Sequence, residues 1–206
     1  VRYITSKERG DLEEPQDPDD EKPKQILEPK AGLNRFVWDL RRDPIPRMPN
    51  YYLFGYQDGT TLPKALPGKY EIRLTADGKT QSAPFEVTLD PRVKTSLADL
   101  QKQNDLIVNI RSEIERVFAT ERQIHDVRNQ IKALQERLPK SPSLVPVSDA
   151  GTNLDKKLIG IEENLVNWKI VANEDSLQYP VKLDGQLSVL AEYVGSADSA
   201  PTEAAM

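Results

Sequence analysis

Ile110, Val117, Ile124, Ile131 and Leu138 stand seven residues apart throughout, and this repeat constrains the chain more than any other feature. Around it, Leu100, Ile107, Ile114, Val127 and Leu134 fill steps of three and four, which draws one apolar seam along a helix. Ser96-Leu97-Ala98-Asp99 opens the run as a capping box, a hydroxyl followed three residues later by a carboxylate. Pro139 closes it. A continuous helix over 97–138 would be about 60 Å long. The seam is interrupted at Glu121, where its phase shifts. A helix carrying such a stripe needs something to cover it.

Two internal partners follow. Thr152-Asn153-Leu154-Asp155 reads as another capping box, with Leu154, Leu158, Ile161, Leu165 and Trp168 as the apolar face behind it. After Pro180, the residues Leu183, Leu187, Leu190 and Val194 predict a third, shorter helix. Residues 93–206 therefore read as an antiparallel helical hairpin or bundle with one long helix. Ser199 to Glu203 begins a further helix that Met206 cuts off. The bundle is thus expected to be truncated at its C-terminus, with part of the long seam left for another chain.

The first half has a different period. Lys69 to Thr75 alternates with Tyr70, Ile72 and Leu74 expected inward; Asp77-Gly78 suits a tight turn, and Phe85, Val87 and Leu89 share a face on the return. A β-hairpin is expected over about 69–89. Asn34 to Leu40 places Phe36, Trp38 and Leu40 on one side of a strand, with Trp38 expected in a core. Val1 to Thr5 is rich in strand formers, and Ser6 to Lys24 is a polar loop. Its acids at Asp17 to Glu21 lack the glycine and the distal glutamate of a calcium-binding loop. Because the chain begins at Val1, its start is expected to be internal to a longer precursor or to follow processing.

Three segments carry a resemblance: Gly32-Leu33-Asn34-Arg35-Phe36-Val37-Trp38-Asp39-Leu40-Arg41, Leu66-Pro67-Gly68-Lys69-Tyr70 and Leu89-Asp90-Pro91-Arg92. Together they are similar to the C-terminal region of large secreted bacterial BNR/sortilin-type β-propeller proteins, often labelled glycosyl hydrolase-like. The β part also resembles the immunoglobulin-like domain of the flagellar hook-capping family. The resemblance implies an α+β, two-part chain: an immunoglobulin-like β-sandwich with long loops over 1–92, then the helical bundle over 93–206. It further implies a periplasmic or secreted location and attachment to a preceding β-propeller, whose active site would lie outside this chain.

One loop stands apart. Met48, Tyr51, Tyr52, Phe54 and Tyr56 crowd into a proline-rich stretch. It can fold back as a cap on the sandwich, or present these five residues to a partner, since tyrosine and methionine are enriched at interfaces. Stacking on a sugar is a third reading of the same tyrosines.

Several chemistries find no support. His125 is the sole histidine, and the chain has no cysteine, so a histidine- or thiolate-rich metal site is not expected. No nucleophile elbow accompanies His125, which reads as a solvated helix residue. No phosphate loop, dinucleotide fingerprint or zinc helix is present. The net charge of −5 lacks a dominant basic patch, which argues against nucleic acid. No apolar run is long enough to span a bilayer. No catalytic, cofactor-binding or metal-ligating residue, and no cofactor, is therefore expected. The expected function is a non-catalytic protein–protein interaction module, a scaffold or accessory subunit of a larger extracytoplasmic assembly whose partners are other subunits or the preceding propeller. The alternative is a carbohydrate-binding or substrate-presenting appendage of a propeller protein.

Overall fold

The computed structural model describes residues 30–45, 48, 50–56, 62–139 and 141–206. The strand expected at Val1 to Thr5 and the acidic loop after it lie outside these residues.

Strand β1 (Gly68–Ala76) pairs antiparallel with β2 (Lys79–Val87). Asp77 and Gly78 join them with φ of 49° and 73°, the paired positive angles that match strand twist in a two-residue turn. Tyr70 faces Phe85, Ile72 faces Ala83 and Leu74 faces Gln81 in the register, so these side chains share one face. Lys69, Glu71, Arg73 and Thr75 occupy the other. Trp38 covers the Gly68 end of the apolar face, standing edge-on to Tyr70 at 6.5 Å and to Phe85 at 6.2 Å. Its indole N–H donates to the Arg41 carbonyl at 2.8 Å. Beyond Trp38 the face is bare: Ile72 is 59% exposed and Leu74 61%.

This corrects the immunoglobulin-like β-sandwich. Among the described residues the only sheet has two strands. Asn34 to Leu40 is not a strand, although its apolar residues alternate; Leu40 turns to a left-handed φ of 63° and a single bridge, Arg41 to Lys64, follows. Alternation marks which side of an extended chain is apolar, but a sandwich needs a second sheet to bury that side. Here Phe36, Val37, Ile72 and Leu74 are all exposed. The inward placement expected for Ile72 and Leu74 is likewise not observed.

Helix α1 (Leu97–Arg137) runs unbroken through Glu121 for 41 residues. The Ser96 hydroxyl oxygen accepts the Asp99 amide at 3.1 Å and caps its start. Helix α2 (Val145–Leu165) begins seven residues before the capping box expected at Thr152. Pro146 preorganises that earlier first turn, and Thr152 instead donates to the Ser148 carbonyl one turn back. Helix α3 (Leu183–Gly195) follows, and the helix expected from Ser199 is only a short 3-10 turn at Glu203–Ala205.

The core forms where α1 meets α3 and the stretch before β1. Ile107, Ile110, Ile114, Val117 and Phe118 of α1 pack with Ala191 and Val194 of α3 and with Ile45, Met48, Tyr51, Leu53 and Leu62. Burying each large side chain contributes roughly 1.5–3 kcal/mol. Polar ties fix the same contact: the Arg111 guanidinium donates to the Asp43 carbonyl at 2.6 Å, and the Asn104 amide to the Lys64 carbonyl at 2.7 Å. Gly55, at φ 75°, lies so close to α3 that a Cβ there would meet Val189 Cγ2 at 2.6 Å. The α1 seam is buried from Leu100 to Ile124 and then emerges, with Val127 and Leu134 exposed.

Candidate functional site

Glu121, His125 and Arg128 recur at helical spacing along α1, at the level where its buried seam ends. Asp155 and Glu162 sit two turns apart on α2, and Trp168 follows that helix by three residues. The antiparallel crossing of α1 and α2 brings the six together. His125 Nε2 stands 3.1 Å from Glu121 Oε1 and 3.2 Å from Glu162 Oε1. The Trp168 indole N–H points at the same two oxygens, at 3.3 and 3.0 Å. Its ring lies 5.2 Å from the imidazole. Arg128 bridges outward, pairing with the other oxygen of Glu162 and with Asp155 at 2.9 Å.

Glu121 is the unusual member. It is 1% exposed, and its Oε2 has no hydrogen-bond partner among the described residues. Burial pushes its carboxyl up to about 7, with Glu162 beside it adding to the rise. His125 is half-exposed and opens onto a shallow cleft of about 370 Å³ that Arg128, Lys132 and Asp155 also line. The arrangement can hold a proton between carboxylates or place three ligand atoms around a cation.

A second buried polar pair lies nearby. The Tyr51 hydroxyl donates to Asp184 on α3, and the Tyr51 ring stands edge-on to Trp168 at 4.9 Å and to Phe118 at 5.9 Å. Burial raises the Asp184 carboxyl to about 6, opposed by that hydrogen bond. The Tyr51 hydroxyl is pushed above its ordinary value, first by burial and then by the Asp184 charge.

The five residues singled out in the aromatic loop turn inward to differing extents. Met48 and Tyr51 are buried in the helical core, while Tyr52, Phe54 and Tyr56 are half-buried. Leu53 between them is buried too. The stretch folds back on α1 and α3 rather than onto the hairpin. Tyr51 is therefore not placed to stack on a sugar. His125, expected as a solvated residue, is held between two carboxylates. The clue was Glu121: a carboxylate within an otherwise apolar seam, with the sole histidine one turn on. What the linear pattern could not show is that Glu162 and Trp168 arrive from the other side.

The search for family models, curated relatives and solved structures returned no match to this chain.

Proposed function

We propose that the chain is a non-catalytic protein–protein interaction module, an accessory subunit or scaffold of a larger assembly, and that the bare face of its β-hairpin is where another polypeptide docks. The observation that carries this is the exposure of Ile72 and Leu74 on a face otherwise shared with Tyr70, Ala83 and Phe85. A two-stranded hairpin is marginal in water without a layer over its apolar side. The edges favour one approach. β2 contains Pro84, which has no amide to offer a new strand, whereas β1 has no proline from Gly68 to Ala76. An extended segment added along β1 would gain main-chain hydrogen bonds and extend the apolar face. The emerging end of the α1 seam offers further apolar surface at Val127 and Leu134.

The reading is tested by placing a photo-crosslinking amino acid at Ile72 in one variant and at Arg73, on the opposite face, in another. In the native cells, position 72 should yield one discrete protein adduct that position 73 does not. Leu74→Asp should remove that adduct while leaving the helical circular-dichroism signal intact. Equal labelling from both faces, or none from either, would sink the proposal.

A further inference from the structure

We propose that Glu121, His125 and Glu162 bind one divalent transition-metal ion, of the zinc or manganese class, at the crossing of α1 and α2. Three observations support the site independently of the hairpin. First, two carboxylate oxygens converge on a single imidazole nitrogen, at 3.1 and 3.2 Å. A single imidazole nitrogen facing two carboxylate oxygens is also the donor arrangement of a metal site. Tetrahedral ligands with bonds of 2.0–2.1 Å stand roughly 3.3 Å apart, close to these separations. All three ligand atoms lie within 4.8 Å of one another.

Second, the Glu121 carboxyl is within the cluster and almost wholly buried, and its Oε2 has no hydrogen-bond partner among the described residues. A buried carboxylate oxygen left unpaired is destabilising. A cation chelated by both oxygens of that carboxyl would engage Oε2 as well as the Oε1 that faces His125. Third, an outer ring is already assembled. The Trp168 N–H donates to both metal-side oxygens, and Arg128 fixes the far oxygen of Glu162. Such contacts orient ligands and are a general feature of metal sites. Asp155 pairs with Arg128 and offsets its charge, so the two glutamates are left to neutralise a divalent ion.

An imidazole with two carboxylates suits zinc, manganese or iron better than calcium or magnesium, which favour all-oxygen shells. The half-exposed His125 leaves the cleft side open for water to complete the shell. Bound there, an ion would clamp α2 to α1 just where apolar packing between them thins out.

The test is calorimetric titration of the chelator-stripped full chain with zinc chloride and manganese chloride, with calcium chloride as comparison. The expected result is one zinc or manganese per chain, with calcium at least 100-fold weaker (roughly, from the preference of imidazole-containing sites). His125→Gln lies at a half-exposed position and should fold; it should weaken zinc binding at least about 100-fold, more than loss of an outer-ring partner does. Glu162→Gln should do the same. Absence of zinc and manganese binding below millimolar concentration in the parent chain overturns the site. So does unchanged binding in His125→Gln, which would place the ion elsewhere.

Discussion

Two apolar stripes of this chain look equally strong in sequence and end in opposite circumstances. The α1 seam from Leu100 to Ile124 is buried by α3 and by the stretch containing Ile45, Met48, Tyr51 and Leu53. The β1–β2 stripe, which alternates as cleanly, is covered by Trp38 at one end and bare at Ile72 and Leu74. Periodicity reports which side of an element is apolar. It does not report what lies against that side. The aromatic loop teaches the converse: its residues have no period at all, yet Met48 and Tyr51 lie in the core.

The contrast can be broken most forcefully at Phe118. It is 1% exposed at the centre of the helical core, and Phe118→Ala should cost about 3–5 kcal/mol in denaturant unfolding. A loss under 1 kcal/mol would mean the core is looser than described.

The next effect is a pH dependence within that core. Asp184 is raised to about 6 when folded, from an ordinary value of 3.8. Between those pH values the unfolded chain has released this proton and the folded chain retains it. Folded protein therefore binds more protons, and this group's contribution to stability falls as pH rises through that window. The drop is on the order of 2–3 kcal/mol, and it is complete above the folded value. Unfolding midpoints measured from pH 4 to 8 should show it on top of the same-signed contribution of Glu121, and Asp184→Asn should reduce the fall by about this amount while leaving the Glu121 part. The Tyr51 hydroxyl stays protonated throughout, so it does not obscure the sign.

A smaller loss is expected at the start of α1. Ser96→Ala removes the hydroxyl that caps Asp99 and should cost about 1 kcal/mol.

The smallest effect is expected on the hairpin. Leu74→Ala on the bare face should change the stability of the isolated chain by less than about 0.5 kcal/mol. A cost near that of Phe118→Ala would show that something in the chain already covers the hairpin.

Much of the helical part is legible in the sequence. Ser96 and Pro139 bracket α1 as their chemistry dictates, and Asp77-Gly78 locates the hairpin turn. The start of α2 was misplaced because Thr152 mimics a cap, while the earlier start depends on Pro146 and on the turn Pro142–Leu144. The sandwich was misread because Phe36, Trp38 and Leu40 alternate like a strand, whereas Leu40 takes a left-handed angle and only Trp38 finds aromatic partners. The polar cluster was half legible. Glu121 and His125 are neighbours in sequence, but Glu162 and Trp168 join them only through the helix crossing.

In the proposed docking, the hairpin's apolar face is covered by another polypeptide and not by this chain. Amide hydrogen exchange over residues 69–76 tests it directly, comparing the isolated chain with the same chain in its native assembly. Fast exchange is expected along the free edge of β1 in isolation and strong protection in the assembly, while α1 from Leu100 to Ile124 is protected in both. Equal protection of β1 in the two states would contradict it.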